Sequence, residues 1–68
     1  MEEVYVVLPN SETEWEDIRI FLSKEEAIDA LNKIGKDWRI EIFRQQKGTA
    51  YTPTYDTINS KGNVKSNL

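Results

Sequence analysis

The chain contains no Cys and no His among its 68 residues, so neither a disulfide nor a Cys/His metal site can stabilise its fold. A chain this short buries a thin core, which alone supplies only about 3–5 kcal/mol of net stability. We therefore expect one small domain held by apolar packing, with a second copy or a partner adding stability. Thiolate and imidazole chemistry is also excluded. We expect no cofactor, no metal and no enzymatic activity.

The charge balance argues against two classes of partner. Twelve acidic and nine basic side chains give a formal net charge of -3, which disfavours nonspecific binding to nucleic acid or to anionic lipid. The segment MEEVYVV has no basic region and its apolar run stops at Pro9, so we expect neither a signal peptide nor a membrane span. Together with the lack of Cys, this pattern favours a reducing compartment, the cytoplasm or the nucleus.

The first half of the sequence predicts a β-hairpin. Five consecutive apolar residues, Val4 to Leu8, indicate a central strand that is covered on both faces. Pro9, Asn10 and Ser11 are typical of a turn. A second strand is predicted from Trp15 to Leu22, with alternating apolar and polar positions. The residues assigned to its buried side are Ile18, Ile20 and Leu22.

A helix follows the hairpin. Ser23 and Glu26 have the spacing of a capping box, in which each side chain bonds the other residue's backbone amide. Gly35 is typical of a helix C-terminus. The apolar residues at helical spacing between these two ends are Ala27, Ala30, Leu31 and Ile34.

The second half predicts two more strands and a tail. Trp38 to Arg44 alternates like a strand, and Tyr51 to Tyr55 is β-prone but contains Pro53, which restricts it to an edge. The predicted fold is α+β, ββαβ(β), with strand order 2-1-3(-4) in a small antiparallel sheet and one helix packed on one face. The domain is predicted to span residues 1–58, followed by a mobile polar tail at 59–68.

One helix covers only one face of such a sheet, so the opposite face is the predicted interaction surface. Its apolar centre is predicted to contain Tyr5, Val7, Phe21 and Phe43, with charged residues such as Arg39 at its rim. Tyr51 and Tyr55 are predicted to lie on an exposed edge that suits strand addition. In the alternative interpretation, the C-terminal segment covers this face or its side chains are simply half exposed.

Two further hypotheses remain at this point. The first is nucleic-acid or nucleotide binding through aromatic and basic residues, namely Trp38, Arg39, Phe43, Arg44 and Lys47. The second is a carboxylate site at the predicted hairpin tip, formed by Glu12, Glu14, Glu16 and Asp17. Catalysis or cation binding requires a cleft or converging oxygens, which a hairpin tip does not supply. Solvated charge is therefore the preferred interpretation of the acidic residues.

Three segments, in order and spacing, resemble short uncharacterised proteins of giant and other nucleocytoplasmic large DNA viruses. The segments are Glu14 to Ala30, Trp38 to Phe43 and Tyr51 to Tyr55. The residues that support the resemblance are Trp15, Glu16, Phe21, Leu22, Ser23, Glu26, Ala27, Ile28, Glu41, Ile42, Phe43, Pro53, Thr54 and Tyr55. The resemblance implies a viral source and no known activity. It implies a location in the host cytoplasm or nucleus, or in the virion.

The sequence therefore predicts a small protein-interaction module. Its partner is expected to be another protein or a second copy of the chain, with no membrane association and with nucleic acid as the less favoured alternative.

Overall fold

The computed structural model describes residues 2–68, which form one helix and one five-stranded antiparallel sheet. The strands are β1 (Glu2–Pro9), β2 (Arg19–Phe21), β3 (Trp38–Gln45), β4 (Tyr51–Ile58) and β5 (Val64–Lys65), and the helix α1 is Lys24–Ile34. The strand order is β2-β1-β3-β4-β5. The predicted α+β class and the order 2-1-3-4 are confirmed, and a fifth strand is added at the end.

The register of β1 determines which side chains α1 covers. Val7 lies opposite Ile40 of β3, and Ile40 lies opposite Ile58 of β4. These three residues are fully or almost fully buried and share one cluster with Ala27 and Leu31 of α1. The core therefore lies between α1 and the face of the sheet that contains Val7. Half-buried side chains at the margin of this cluster are Tyr5, Phe21, Ile28 and Trp38.

The predicted second strand is shorter than expected, and its faces are reversed. Trp15–Asp17 forms a 3₁₀ turn and β2 spans only Arg19–Phe21. Phe21 pairs with Tyr5 and packs against the core, whereas Ile20 is 63% exposed and Leu22 is 80% exposed. The prediction that Ile20 and Leu22 are buried is wrong. A one-residue difference in register moves every side chain of a strand to the other face.

The helix α1 begins and ends with the predicted residues. The Ser23 Oγ accepts a hydrogen bond from the Glu26 amide (3.4 Å), which confirms one half of the capping box. At the other end, the Gly35 amide donates to the Leu31 carbonyl (3.0 Å). Gly35 has φ 123° and ψ 178°, an extended conformation at positive φ that is essentially restricted to glycine and differs from the αL geometry common at helix C-termini. Ile34, predicted on the buried face, is 41% exposed.

A bulge interrupts the pairing of β4 with β3. The register shifts between Glu41 and Phe43, and the Thr54 hydroxyl donates to the Ile42 carbonyl (2.7 Å) at this point. Tyr55 has φ 66°, which is unusual for a residue other than glycine. The bulge lets β4 continue past Pro53 to Ile58, so the strand is longer than the short edge element predicted from the sequence.

Residues 59–68, predicted as a mobile tail, contain a strand. Val64 pairs with Ile58 and Lys65 with Thr57, so β5 extends the sheet beyond β4. The turn between the two strands contacts the helix, because the Asn32 side-chain amide donates to the Ser60 carbonyl (3.3 Å). This segment therefore joins the sheet at its edge and leaves the face opposite α1 uncovered.

Replacement of Leu31 by Ala tests the core. Leu31 is 5% exposed in the cluster under α1, so we expect Leu31→Ala to lower the free energy of unfolding by about 2–5 kcal/mol. Ile34→Ala, a similar truncation of a partly exposed side chain in the same helix, should cost less than about 1 kcal/mol. Urea unfolding followed by circular dichroism measures both changes. Equal costs for the two variants would contradict the packing of α1.

Two neighbouring residues of β2 test the register. Phe21→Ser should lower the free energy of unfolding by about 2–3 kcal/mol because Phe21 packs against the core. Ile20→Ser should change the free energy by no more than about 1 kcal/mol because Ile20 points away from α1. The reverse ranking in chemical denaturation would show that the strand faces are the other way round.

Candidate interaction surface

The face of the sheet opposite α1, called the open face below, consists of four rows of paired residues. The register places Val6 between Ile20 of β2 and Glu41 of β3. This row continues through Thr57 to Lys65. The other rows are Leu8 with Arg39, Val4 with Phe43 and Pro53, and Glu2 with Gln45 and Tyr51. Apolar residues therefore lie in the Val4 row and at Ile20 and Val6, while Glu41, Thr57 and Lys65 make the β3–β5 part of the Val6 row polar.

The apolar centre of the open face is partly shielded by its own neighbours. Val4 and Val6 are only 8% and 5% exposed, although α1 lies on the other side of the sheet. Both belong to β1, which has a strand on each side, and Phe43 is half-buried beside Val4. Large side chains on adjacent strands thus remove much of the central apolar area from water. The exposed apolar area lies nearer to β2, at Ile20.

The polar residues of the open face are bonded to each other. The Arg39 Nε donates to the Glu41 Oε2 (2.8 Å), and the Arg39 Nη1 donates to the Pro9 carbonyl (2.7 Å). At the other end of the face, the Tyr51 hydroxyl donates to the Glu2 Oε2 (2.7 Å). These contacts fix the rim and connect three strands across the face.

The structure divides the predicted interaction residues between the two faces. Arg39 and Phe43 lie on the open face, as predicted, and Tyr51, predicted at an exposed edge, lies on the open face as well. Tyr5, Val7 and Phe21 lie on the helix face, so their predicted placement is wrong. The error has a single cause, because both sets of alternating positions in β1 and β2 contain large apolar residues and the pattern does not identify the set that meets the helix.

Tyr55 lies in the bulge of β4 and is exposed. The predicted C-terminal edge is only partly free, since β5 pairs with β4 at Thr57 and Ile58. Further along, the Asn67 side-chain amide donates to the Thr54 carbonyl (3.2 Å). The first residues of β4 therefore have no strand on the side away from β3. Pro53 lacks an amide hydrogen, so it cannot donate a backbone hydrogen bond on that side.

The edge strand β2 is the feature that the sequence interpretation missed. It is the outermost strand on one side of the sheet and is only three residues long. Ile20 in this strand and Leu22 directly after it are both largely exposed, and so is Trp15 (87%) in the preceding turn. Single exposed apolar residues are ordinary, but three in eight residues beside an unpaired strand edge form an unusual concentration. One feature of the sequence could have indicated this edge. Leu22 lies between the end of β2 and the Ser23 cap of α1, so it belongs to neither the strand nor the buried face of the helix.

The residues proposed for nucleic-acid binding do not share one surface. Arg39 and Phe43 lie on the open face, whereas Trp38 and Arg44 lie on the helix face. The Arg44 guanidinium donates from Nε (3.0 Å) and Nη2 (2.7 Å) to the Glu3 Oε2. Both arginines are thus already paired with carboxylates, and Lys47 is the one basic residue of this predicted set that forms no ion pair within residues 2–68.

The acidic residues before β2 form a local turn. The Asp17 carboxylate accepts a hydrogen bond from the Glu14 amide (3.3 Å), and the Asp17 amide donates to the Glu14 carbonyl (3.0 Å). Within residues 2–68 there is no group of three or more acidic side chains placed to hold a metal ion. The turn thus presents its carboxylates to solvent.

Comparisons with protein-family models, with curated proteins and with solved structures found no match to this chain. The viral resemblance stays a prediction. In the part of the chain that the structure describes, no helix has the length and apolarity needed to cross a membrane.

The contact between Tyr51 and Glu2 predicts a response to alkaline pH. The hydrogen bond to the Glu2 carboxylate raises the pKa of Tyr51 above its ordinary value of 10.0. A raised pKa means that the contact stabilises the fold fully below about pH 10 and is lost as the pH rises through the folded-state pKa. Wild type should therefore be more stable than Tyr51→Phe at about pH 8, and this difference should disappear at strongly alkaline pH.

Urea unfolding of the two proteins across this range measures the effect. Burial, together with Glu3, also raises the pKa of Tyr5. Both proteins contain Tyr5, so its contribution to the pH dependence is the same in each and does not affect the difference between them. A stability difference that stays constant with pH would show that the Tyr51 hydroxyl does not bond Glu2.

Proposed function

We propose that this chain is a small non-enzymatic protein-interaction module that binds through its open face and the adjoining edge strand β2. The observation that supports the proposal best is the exposure of Ile20 and Leu22 on an unpaired strand edge. Natural proteins protect sheet edges by keeping the edge strand very short, as β2 is, or with charge, proline or a covering segment. Although β2 is short, Ile20 in it and Leu22 directly after it remain exposed. An edge that keeps large apolar side chains in water has the composition expected of a binding site.

Strand addition is the binding mode that this edge favours. The inner side of β2 pairs with β1, and its outer side has no strand partner among residues 2–68. An extended segment of a partner can bond the outward amides and carbonyls of β2. Its alternate side chains would then continue the row of Ile20 and Val6 on the open face. Binding in this mode combines backbone hydrogen bonds with the burial of Ile20 and Leu22.

The resemblance to viral proteins extends this proposal to the setting in which binding occurs. On that interpretation the chain acts in the cytoplasm or nucleus of a host cell, or in the virion. Its partner would be a virion component, a host factor or another copy of the chain.

Matched variants of the two sheet edges test the proposal. Ile20→Ser and Leu22→Ser remove the exposed apolar side chains of the β2 edge, and Val64→Ser removes an exposed side chain from β5 at the opposite edge. Each immobilised protein is used to capture binding proteins from the source organism or its host cell, and the captured proteins are quantified by mass spectrometry. We expect a specific partner to be retained by wild type and by Val64→Ser.

The same partner should be lost or reduced at least about tenfold with the two β2 variants, which corresponds to about 1.4 kcal/mol or more per side chain. Thermal unfolding must show that all variants remain folded. Equal retention of every protein by all four baits would rule out the β2 edge as the binding site.

A further inference from the structure

The turn that contains Trp15 has a defined shape that the proposed function does not use. Trp15 is 87% exposed, the largest exposure of any aromatic side chain among residues 2–68. The Ile18 amide donates to the Trp15 carbonyl (3.3 Å), and the Arg19 guanidinium donates to the carbonyls of Glu16 and Ile18. We call residues Glu14–Asp17 the acidic turn. It presents the indole ring of Trp15 to solvent, and the neighbouring residues in the sequence are Glu14 and Glu16.

A groove of about 480 Å³ lies between the end of α1 and the β4–β5 hairpin. Its apolar lining comes mainly from the half-buried Trp38, with small contributions from Leu31 (5% exposed) and Ile58 (2% exposed). This volume is within the range of sites that bind small molecules or single large side chains. We call it the basic groove, because three of its lining residues are Lys36, Arg39 and Lys65. By the strand register Arg39 and Lys65 belong to the open face, and they border the groove at the end of the sheet.

The charges of the acidic turn and the basic groove are complementary. The acidic turn contains three carboxylates, from Glu14, Glu16 and Asp17, whereas the lining of the basic groove contains three basic residues and no acidic one. Arg39 is paired with Glu41, but Lys36 and Lys65 form no ion pair within residues 2–68. Their ammonium groups are therefore available to carboxylates from another molecule.

The acidic turn and the basic groove lie at the same end of the sheet. The turn lies in the connection from the end of β1 to the start of β2, and Pro9 at the end of β1 pairs with Trp38 at the start of β3. The Asn10 amide also donates to the Asp37 carbonyl (2.8 Å) across this end. A two-fold axis at this end can therefore place the turn of each copy against the groove of the other.

We propose that two copies of this chain form a closed dimer in which each acidic turn occupies the partner's basic groove. The ring of Trp15 packs on the apolar lining, while Glu14 and Glu16 face Lys36 and Lys65. A buried Trp removes about 150–250 Å² from water, so two such insertions bury about 300–500 Å² of Trp surface, an area in the range of weak, transient complexes. The dimer should accordingly dissociate on dilution. The surface is distinct from the β2 edge of the proposed function.

Sedimentation velocity of the whole chain over a range of concentrations tests this dimer. We expect a monomer–dimer equilibrium for wild type and a dissociation constant at least about 30-fold larger for Trp15→Ala, the size of a hot-spot residue. The control is Leu68→Ala, which truncates an exposed apolar side chain outside the acidic turn, the basic groove and the β2 edge and should leave the equilibrium unchanged.

Charge reversal supplies an independent test that does not depend on Trp15. The double variant Lys36→Glu, Lys65→Glu should weaken the dimer at least about tenfold, because carboxylates would then face carboxylates. Adding Glu14→Lys and Glu16→Lys to the same chain exchanges the charges of turn and groove. This quadruple variant should recover the dimer to within about threefold of wild type, which a misfolded chain would not do.

Four outcomes would overturn the proposal. The first two are a wild-type protein that stays monomeric at every concentration and a monomer–dimer equilibrium that Trp15→Ala leaves unchanged. The other two are a quadruple variant that does not recover the dimer and a wild-type protein that forms assemblies of more than two copies. A loss of partner capture in the β2 variants without any change in this equilibrium would leave the dimer supported and separate from the proposed function.

Discussion

An eleven-residue helix on a five-stranded sheet can cover one face only, so the register of the central strand decides which residues form the core. In β1 that register turns Val7 toward α1, while Val6 faces the other way. The buried cluster under α1, the exposure of Ile20 and the composition of the open face all follow from this choice. A shift of one residue would exchange the two faces along the whole sheet.

The distribution of exposed apolar residues is a consequence of this arrangement. Val4 and Val6 are shielded within the open face because β1 has a neighbour on each side. The edge strand β2 has a neighbour on one side only, so Ile20 remains in water. The segment before the helix cap adds Leu22 and Trp15 to this side of the molecule. The interaction surface is therefore displaced from the centre of the open face toward its edge.

Local sequence signals predicted the topology well because each of them acts over a few residues. Ser23 and Gly35 mark the helix ends, and the alternation from Trp38 to Arg44 marks the third strand. The face assignment failed because it depends on contacts between strands. In the sequence, Phe21 and Ile20 are equally plausible core residues. The pairing of β2 with β1 decides which of the two faces the helix and is buried.

Two other features depend on contacts that no short pattern records. The strand β5 contains a single apolar residue, Val64, and forms by pairing with Ile58 and Thr57 of β4. The bulge of β4 depends on the bond from Thr54 to the Ile42 carbonyl. The candidate site was therefore predicted in part: Arg39 and Phe43 were placed on the open face, Tyr51 was placed at an edge, and the β2 edge was missed.

The most direct test of this account is a nuclear Overhauser spectrum of the methyl groups of β1. The account predicts cross-peaks from the Val7 methyl groups to those of Ala27 or Leu31 on α1, because these residues share one buried cluster. It predicts cross-peaks from Val6 to Ile20 and none from Val6 to the helix. Cross-peaks between Val6 and the side chains of α1 would place the helix on the other face and contradict the account.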